Sequence, residues 1–124
     1  MTIWEREVRL AEEELRRFLR ALPAELRRRA ESIEVIFEKR PSRALVDEGF
    51  DPDLMGLFEG PSIADPEGEG STLPPRILLF LDSIWDEAEH EERAYREEVR
   101  TTLLHELGHY LGLGEDDLAA RDLE

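Results

Sequence analysis

The longest uninterrupted run of apolar residues in this 124-residue sequence spans only residues 77–81. A helix that crosses a bilayer needs about 20 such residues, so the run excludes a membrane span and favours a buried strand. Pro74 and Pro75 stand just before it, where proline is compatible with the start of a strand. The charged N-terminus lacks the apolar segment of a secretion signal. From the apolar run we predict a strand over residues 76–81. From the lack of a membrane span and of a secretion signal we predict a small soluble protein of the cytoplasm.

A long amphipathic pattern opens the chain. Its apolar members recur at spacings of three and four, with charged residues between them, which is typical of a helix with one buried face: Trp4, Val8, Ala11, Leu15, Phe18, Leu19 and Leu22. Thr2 and Glu5 have the spacing of a capping box, and Pro23 should end the helix. We then expect a short helix over residues 24–30 and, from alternating polarity, a strand over residues 32–39.

The remaining segments are predicted from breakers and periodicity. Glycine and proline interrupt residues 41–56, which we expect to be irregular, and they dominate residues 60–75, which we expect to form a flexible loop. Between them, residues 57–59 favour a brief strand. Asp82 is a suitable cap for one helical turn, and a long helix should follow over residues 89–111. A chain of this length has room for one domain, so we expect residues 1–124 to form a single unit.

The net charge of −15 is concentrated in one part of the chain. Residues 1–50 carry eleven basic and eleven acidic side chains, whereas residues 51–124 carry five basic and twenty acidic ones. Such a field repels phosphate backbones, which argues against a nucleic-acid partner, and it favours cationic ligands or a basic peptide. A simple role in solubility explains the same excess.

The composition also lacks several thermolabile residue types. There is no Cys, Asn or Gln, and fifteen of the sixteen basic residues are Arg. The missing cysteines exclude disulfides and thiolate metal sites. Because loss of such side chains and dense surface charge accompany heat adaptation in some proteins, we predict a thermostable protein.

The sequence His105-Glu106-Leu107-Gly108-His109 lies within the predicted last helix. Two histidines four residues apart project from one face of a helix, so both imidazoles can reach one metal ion. Glu106 is rotated by about 100° from His105 and is better placed to accept a proton from water than to bind the metal. This HExxH spacing predicts a zinc pair with a general base.

A third metal ligand is expected just after the helix. Gly112 can end the helix with a positive φ and turn the chain back towards the metal. Glu115, three residues later, is then the natural third ligand, and Asp116 is the alternative. Glycine and an acid at these two positions make the motif much more specific than HExxH alone.

The segment from His105 to Glu115 resembles the minimal zincin family, a group of short bacterial metallopeptidases with an HExxHxxGxx[DE] motif. Residues 56–60 and 73–80 are also similar to a strand–loop–strand unit of that family. The family usually has Asp where this chain has Glu115. The resemblance implies a zincin-like α+β fold, with a small mixed β-sheet packed against an N-terminal helix and an active-site helix that carries HExxH.

The hypothesis for function is zinc-dependent hydrolysis of peptide bonds. His105, His109 and Glu115 would bind Zn²⁺, and Glu106 would remove a proton from the metal-activated water and deliver it to the leaving amine. The substrate, a peptide or protein and by charge a basic one, would lie along the edge of the strand over residues 76–81. The alternative is a non-catalytic acidic module that binds metal or a protein partner.

Overall fold

The computed structural model describes residues 1–60 and 74–111. In these ranges the chain forms the following elements: α1 (Ile3–Ala21), α2 (Ala24–Ala30), β1 (Glu34–Glu38), α3 (Arg43–Asp47), β2 (Gly56–Glu59), β3 (Arg76–Phe80), α4 (Leu81–Glu87) and α5 (Glu92–Leu111). Most of the predicted loop over residues 60–75 and all residues from Gly112 onwards lie outside the described ranges.

The three strands form one mixed sheet in the order β1-β3-β2. β3 runs parallel to β1, with Val35 opposite Ile77, and antiparallel to β2, with Phe58 opposite Ile77. The predicted small mixed sheet is therefore present, but the prediction that a substrate lies along an edge of β3 is wrong, because a strand is paired on each side. The physical reason is the unbroken apolar run, which is typical of a strand buried on both faces.

Helix α1 begins and ends where its sequence predicts. The Thr2 hydroxyl accepts a hydrogen bond from the Glu5 backbone N–H at 3.0 Å, and the Glu5 carboxylate accepts one from the Thr2 backbone N–H at 3.4 Å, which completes the capping box. The helix stops before Pro23, and α2 follows directly. The buried face of α1, which includes Leu10 and Phe18, packs against α5.

Helix α3 corrects the expectation that residues 41–56 are irregular throughout. The Ser42 hydroxyl accepts a hydrogen bond from the Leu45 backbone N–H at 3.2 Å and caps this helix of five residues. Gly49, with φ +106°, follows soon after the helix ends. The Ser42 cap at one end and the hydrogen bonds of the Glu48 N–H to the Ala44 and Leu45 carbonyls at the other define a short helix between the breakers.

The expected long helix over residues 89–111 begins only at Glu92. Glu89 and His90 have positive φ values of 55° and 63°, which separate α4 from α5. The His90 ring stacks on Trp85 at 5.7 Å between centroids, and its Nε2 lies 2.9 Å from an Asp86 oxygen. These contacts hold the unusual turn. Helix α4 starts earlier than predicted, because residues 81–87 are helical and Phe80 rather than Asp82 occupies the capping position.

The core lies between α1, the sheet and the inner face of α5. Along α5 that face is formed by Tyr95, Val99, Leu103 and Leu107, each no more than 1% exposed. The Tyr95 hydroxyl donates a hydrogen bond of 2.8 Å to the Glu7 backbone carbonyl and so ties α5 to α1. Among the helices of residues 1–60 and 74–111, each is too short or too polar to cross a membrane.

Candidate metal centre and active site

Helix α5 separates the HExxH side chains between solvent and interior. His105 and His109 are exposed on one face, one helical turn apart, as the spacing predicts. Glu106 is only 8% exposed. The helix is held in this rotation by its opposite face, which contributes Val99, Leu103 and Leu107 to the core.

Strand β2 passes beside this part of α5 and supplies a backbone donor to Glu106. The Phe58 N–H donates a hydrogen bond to the Glu106 carboxylate. On its other side, Glu106 Oε1 lies 3.2 Å from His109 Nδ1. The carboxylate is thus held between a strand and one member of the histidine pair.

The register of β2 explains why the Phe58 N–H is free for this role. In an antiparallel pair, alternate residues hydrogen-bond to the partner strand and those between them point away. The Phe80 N–H donates a hydrogen bond to the Met55 carbonyl at 2.9 Å. The register therefore points the backbone N–H and C=O groups of Met55, Leu57 and Glu59 towards β3. Phe58 falls between them, and its N–H points towards α5.

Burial makes Glu106 more basic than an exposed glutamate. Loss of solvent raises the pKa of this carboxyl above its ordinary value of 4.5, while His109, His105 and the Phe58 N–H act in the opposite direction. A carboxylate with a raised pKa is a better proton acceptor near neutral pH. Its position and its basicity both suit a general base.

The residues present fit two of the ligands that a zinc site requires. Imidazole nitrogen is a preferred ligand of Zn²⁺, and His105 and His109 provide two such donors on one face. Within residues 1–60 and 74–111, no group of three His, Asp or Glu side chains converges so as to hold a metal ion. The predicted third ligand Glu115 and its alternative Asp116 both lie outside the described residues.

Two contributors to the site were missed by the prediction from sequence. One is the Phe58 backbone N–H, which has no signature in its own residue type. The other is Gly56, where β2 passes Thr102 of α5 so closely that a Cβ atom would collide with the threonine methyl group. The only sequence signal for either was the similarity of residues 56–60 to a family segment.

Comparison with known proteins identifies the family. Searches among curated proteins and among solved structures return no match. A family model described as "Zincin-like metallopeptidase" matches residues 30–124, which include the sheet, α5 and the HExxH motif. Since this match covers well over half of the sequence, the chain belongs to the zincin-like metallopeptidase family.

Proposed function

We propose that the protein is a zinc-dependent peptidase that hydrolyses peptide bonds. The observation that carries the proposal is the position of Glu106, a buried carboxylate between the Phe58 N–H and His109, directly beside an exposed histidine pair. His105, His109 and Glu115 are the residues that would bind zinc. When bound, the metal would act as a Lewis acid on the attacking water and on the scissile carbonyl.

Glu106 is the proposed general base and acid. Its carboxylate would accept a proton from the attacking water and later donate that proton to the leaving amine. The Phe58 N–H would orient the Glu106 carboxylate throughout the reaction. The burial of Glu106 would limit competition from bulk water for hydrogen bonds to this carboxylate. The raised pKa of Glu106 supports this role, because an ordinary glutamate is a weaker acceptor at neutral pH.

The charge distribution supports a basic substrate. Residues 51–124, which contain the motif, carry twenty acidic and five basic side chains. A peptide rich in Lys or Arg would be attracted to this surface, and the attraction would weaken as the ionic strength rises. We therefore propose a peptide or protein substrate with basic residues near the scissile bond, and no nucleic-acid partner.

The test combines metal content with cleavage. Wild-type protein and Glu106→Gln are refolded with zinc, bound metal is measured per chain, and both are incubated with a mixed library of basic, neutral and acidic peptides. We expect one zinc per chain in both proteins and cleavage by the wild type alone, most of it in basic peptides. Glu97→Gln is the matched control, because Glu97 lies on the same helix but is exposed and pairs only loosely with Arg93, at 3.7 Å.

The same experiment addresses the alternative function. Zinc retained by both proteins with no cleavage by either would contradict the peptidase proposal and favour a non-catalytic metal-binding module with an acidic surface. Failure of the wild type to hold zinc would instead contradict the ligand assignment of His105 and His109.

A further inference from the structure

Gly56 lies at a close approach between strand β2 and helix α5. A Cβ atom on this residue would collide with Thr102 Cγ2, whereas the next nearest atoms, Glu106 Cγ and the Leu78 carbonyl oxygen, would each lie 3.4 Å away. The obstruction therefore comes from one methyl group. Gly56 does not have the positive φ of Gly49 or Gly60, so its backbone conformation is open to other residues and only space excludes a side chain.

The contact of Gly56 with Thr102 and the contact of Phe58 with Glu106 are separated by nearly the same distance along the strand and along the helix. Two residues of a strand advance by about 6.6 Å and four residues of a helix by about 6 Å. Gly56 faces Thr102, and two residues along the strand Phe58 faces Glu106, which is four residues along the helix. The separation of strand and helix at the first contact thus sets their separation at the second.

We propose that Gly56 is a positioning residue of the active site. Its missing side chain lets β2 approach α5 closely enough for the Phe58 N–H to hold the Glu106 carboxylate. This inference deepens the proposed function and rests on it for its catalytic consequence. The Phe58–Glu106 hydrogen bond, by contrast, can be measured without any turnover.

The experiment places the missing methyl group on the strand and then removes its obstacle. Gly56→Ala should push β2 away from α5, so the Phe58 amide should lose protection against hydrogen exchange while zinc is still bound. Since a displacement of about 1 Å can cost on the order of 100-fold in rate, we expect kcat to fall by roughly 10- to 100-fold with a smaller change in KM. The double variant Gly56→Ala/Thr102→Ser, which lacks the obstructing methyl group, should recover both protection and kcat.

The matched control is Gly56→Ala/Thr101→Ser. Thr101 precedes Thr102 on the same helix but is exposed, so loss of its methyl group leaves the obstruction in place and should rescue neither property. If Gly56→Ala fails to fold, the two double variants still decide the matter, since only the Thr102→Ser pair should restore the folded protein. Thr102→Ser alone serves as the reference for that pair.

Three results would overturn the inference. They are unchanged Phe58 exchange in a folded Gly56→Ala protein, equal rescue by Thr101→Ser and Thr102→Ser, and failure of the Thr102→Ser pair to restore exchange protection. Absence of peptide cleavage by the wild type would refute the proposed function instead, and the exchange measurements would still report whether Gly56 controls the position of Glu106.

Discussion

Glu7 gives the sharpest quantitative prediction because it is a carboxyl group inside the core. It lies on α1, is 1% exposed, and its Oε2 has no hydrogen-bond partner among the described residues. Burial, together with the neighbouring Asp82 and Asp86 carboxylates, raises the pKa of Glu7 to about 8, with Arg40 acting weakly against this. At neutral pH the folded protein therefore holds a proton that the unfolded chain has already released.

The direction of the pH dependence follows from this difference. In the unfolded chain the pKa of Glu7 is near 4.5, and in the folded protein it is about 8. The bound proton makes its full contribution to the free energy of unfolding below pH 4.5, and this contribution is lost progressively as the pH rises through 8. Each pKa unit corresponds to 1.36 kcal/mol, which sets an upper bound of roughly 5 kcal/mol. Local relaxation and water entry reduce it, so we expect a loss of about 2–4 kcal/mol.

Urea unfolding of the wild type and of Glu7→Gln at pH 5.5, 7 and 8.5 measures this loss. Glutamine keeps the shape of the side chain and cannot ionise, so the free energy of unfolding of the variant should fall by less than that of the wild type over this range. The expected difference is about 1–3 kcal/mol between pH 5.5 and 8.5, because part of the total loss already occurs below pH 5.5. Every other ionisable group is shared by the two proteins, so its contribution cancels in the comparison. Glu12→Gln, at an exposed position of the same helix, should follow the wild type. Parallel pH profiles for the wild type and Glu7→Gln would refute the reasoning.

Three further predictions concern the metal, the core and heat. Glu115→Ala should abolish stoichiometric zinc binding while Asp116→Ala retains it, as measured by metal analysis after dialysis; the opposite result would assign Asp116 as the ligand. Tyr95→Phe removes the buried 2.8 Å hydrogen bond to the Glu7 carbonyl and should lower the free energy of unfolding by about 1–2 kcal/mol in urea titrations, and no change would show that the bond contributes nothing net. The thermal midpoint should exceed the usual mesophile range of about 45–65 °C by calorimetry, and a midpoint inside it would contradict the predicted thermostability.

Features set by neighbouring residues were predictable from the sequence. Four such features each depend on spacings of a few residues: the Thr2 cap, the end of α1 before Pro23, the strand beginning at Arg76 and the His105–His109 pair. Local patterns report such features directly, because helix and strand periodicity fix which side chains share a face. The motif was readable for the same reason.

Features set by contacts between distant segments were not predictable. The break before α5 lies at Glu89 and His90, where the His90 ring stacks on Trp85. The apolar run of β3 indicates a buried strand, but its two pairing partners depend on the strand order of the whole sheet. Within the site, the partner of Glu106 is a backbone N–H of Phe58, and every residue except proline has one. Its selection requires the register of β2, which the sequence alone does not give.

The contacts between α1 and α5 have a consequence for how members of this family can differ. Residues 1–29 lie outside the family match, yet α1 packs against the histidine-bearing helix and accepts a hydrogen bond from its Tyr95 hydroxyl. Arg96 of that helix also pairs with Glu13 and Glu14 of α1, both at 3.2 Å. The packing of the histidine-bearing helix is therefore determined partly by a segment outside the family match. Substitutions in α1 are a route to change how strongly that helix is held, and with it the tolerance of the protein to heat, while the HExxH motif stays the same.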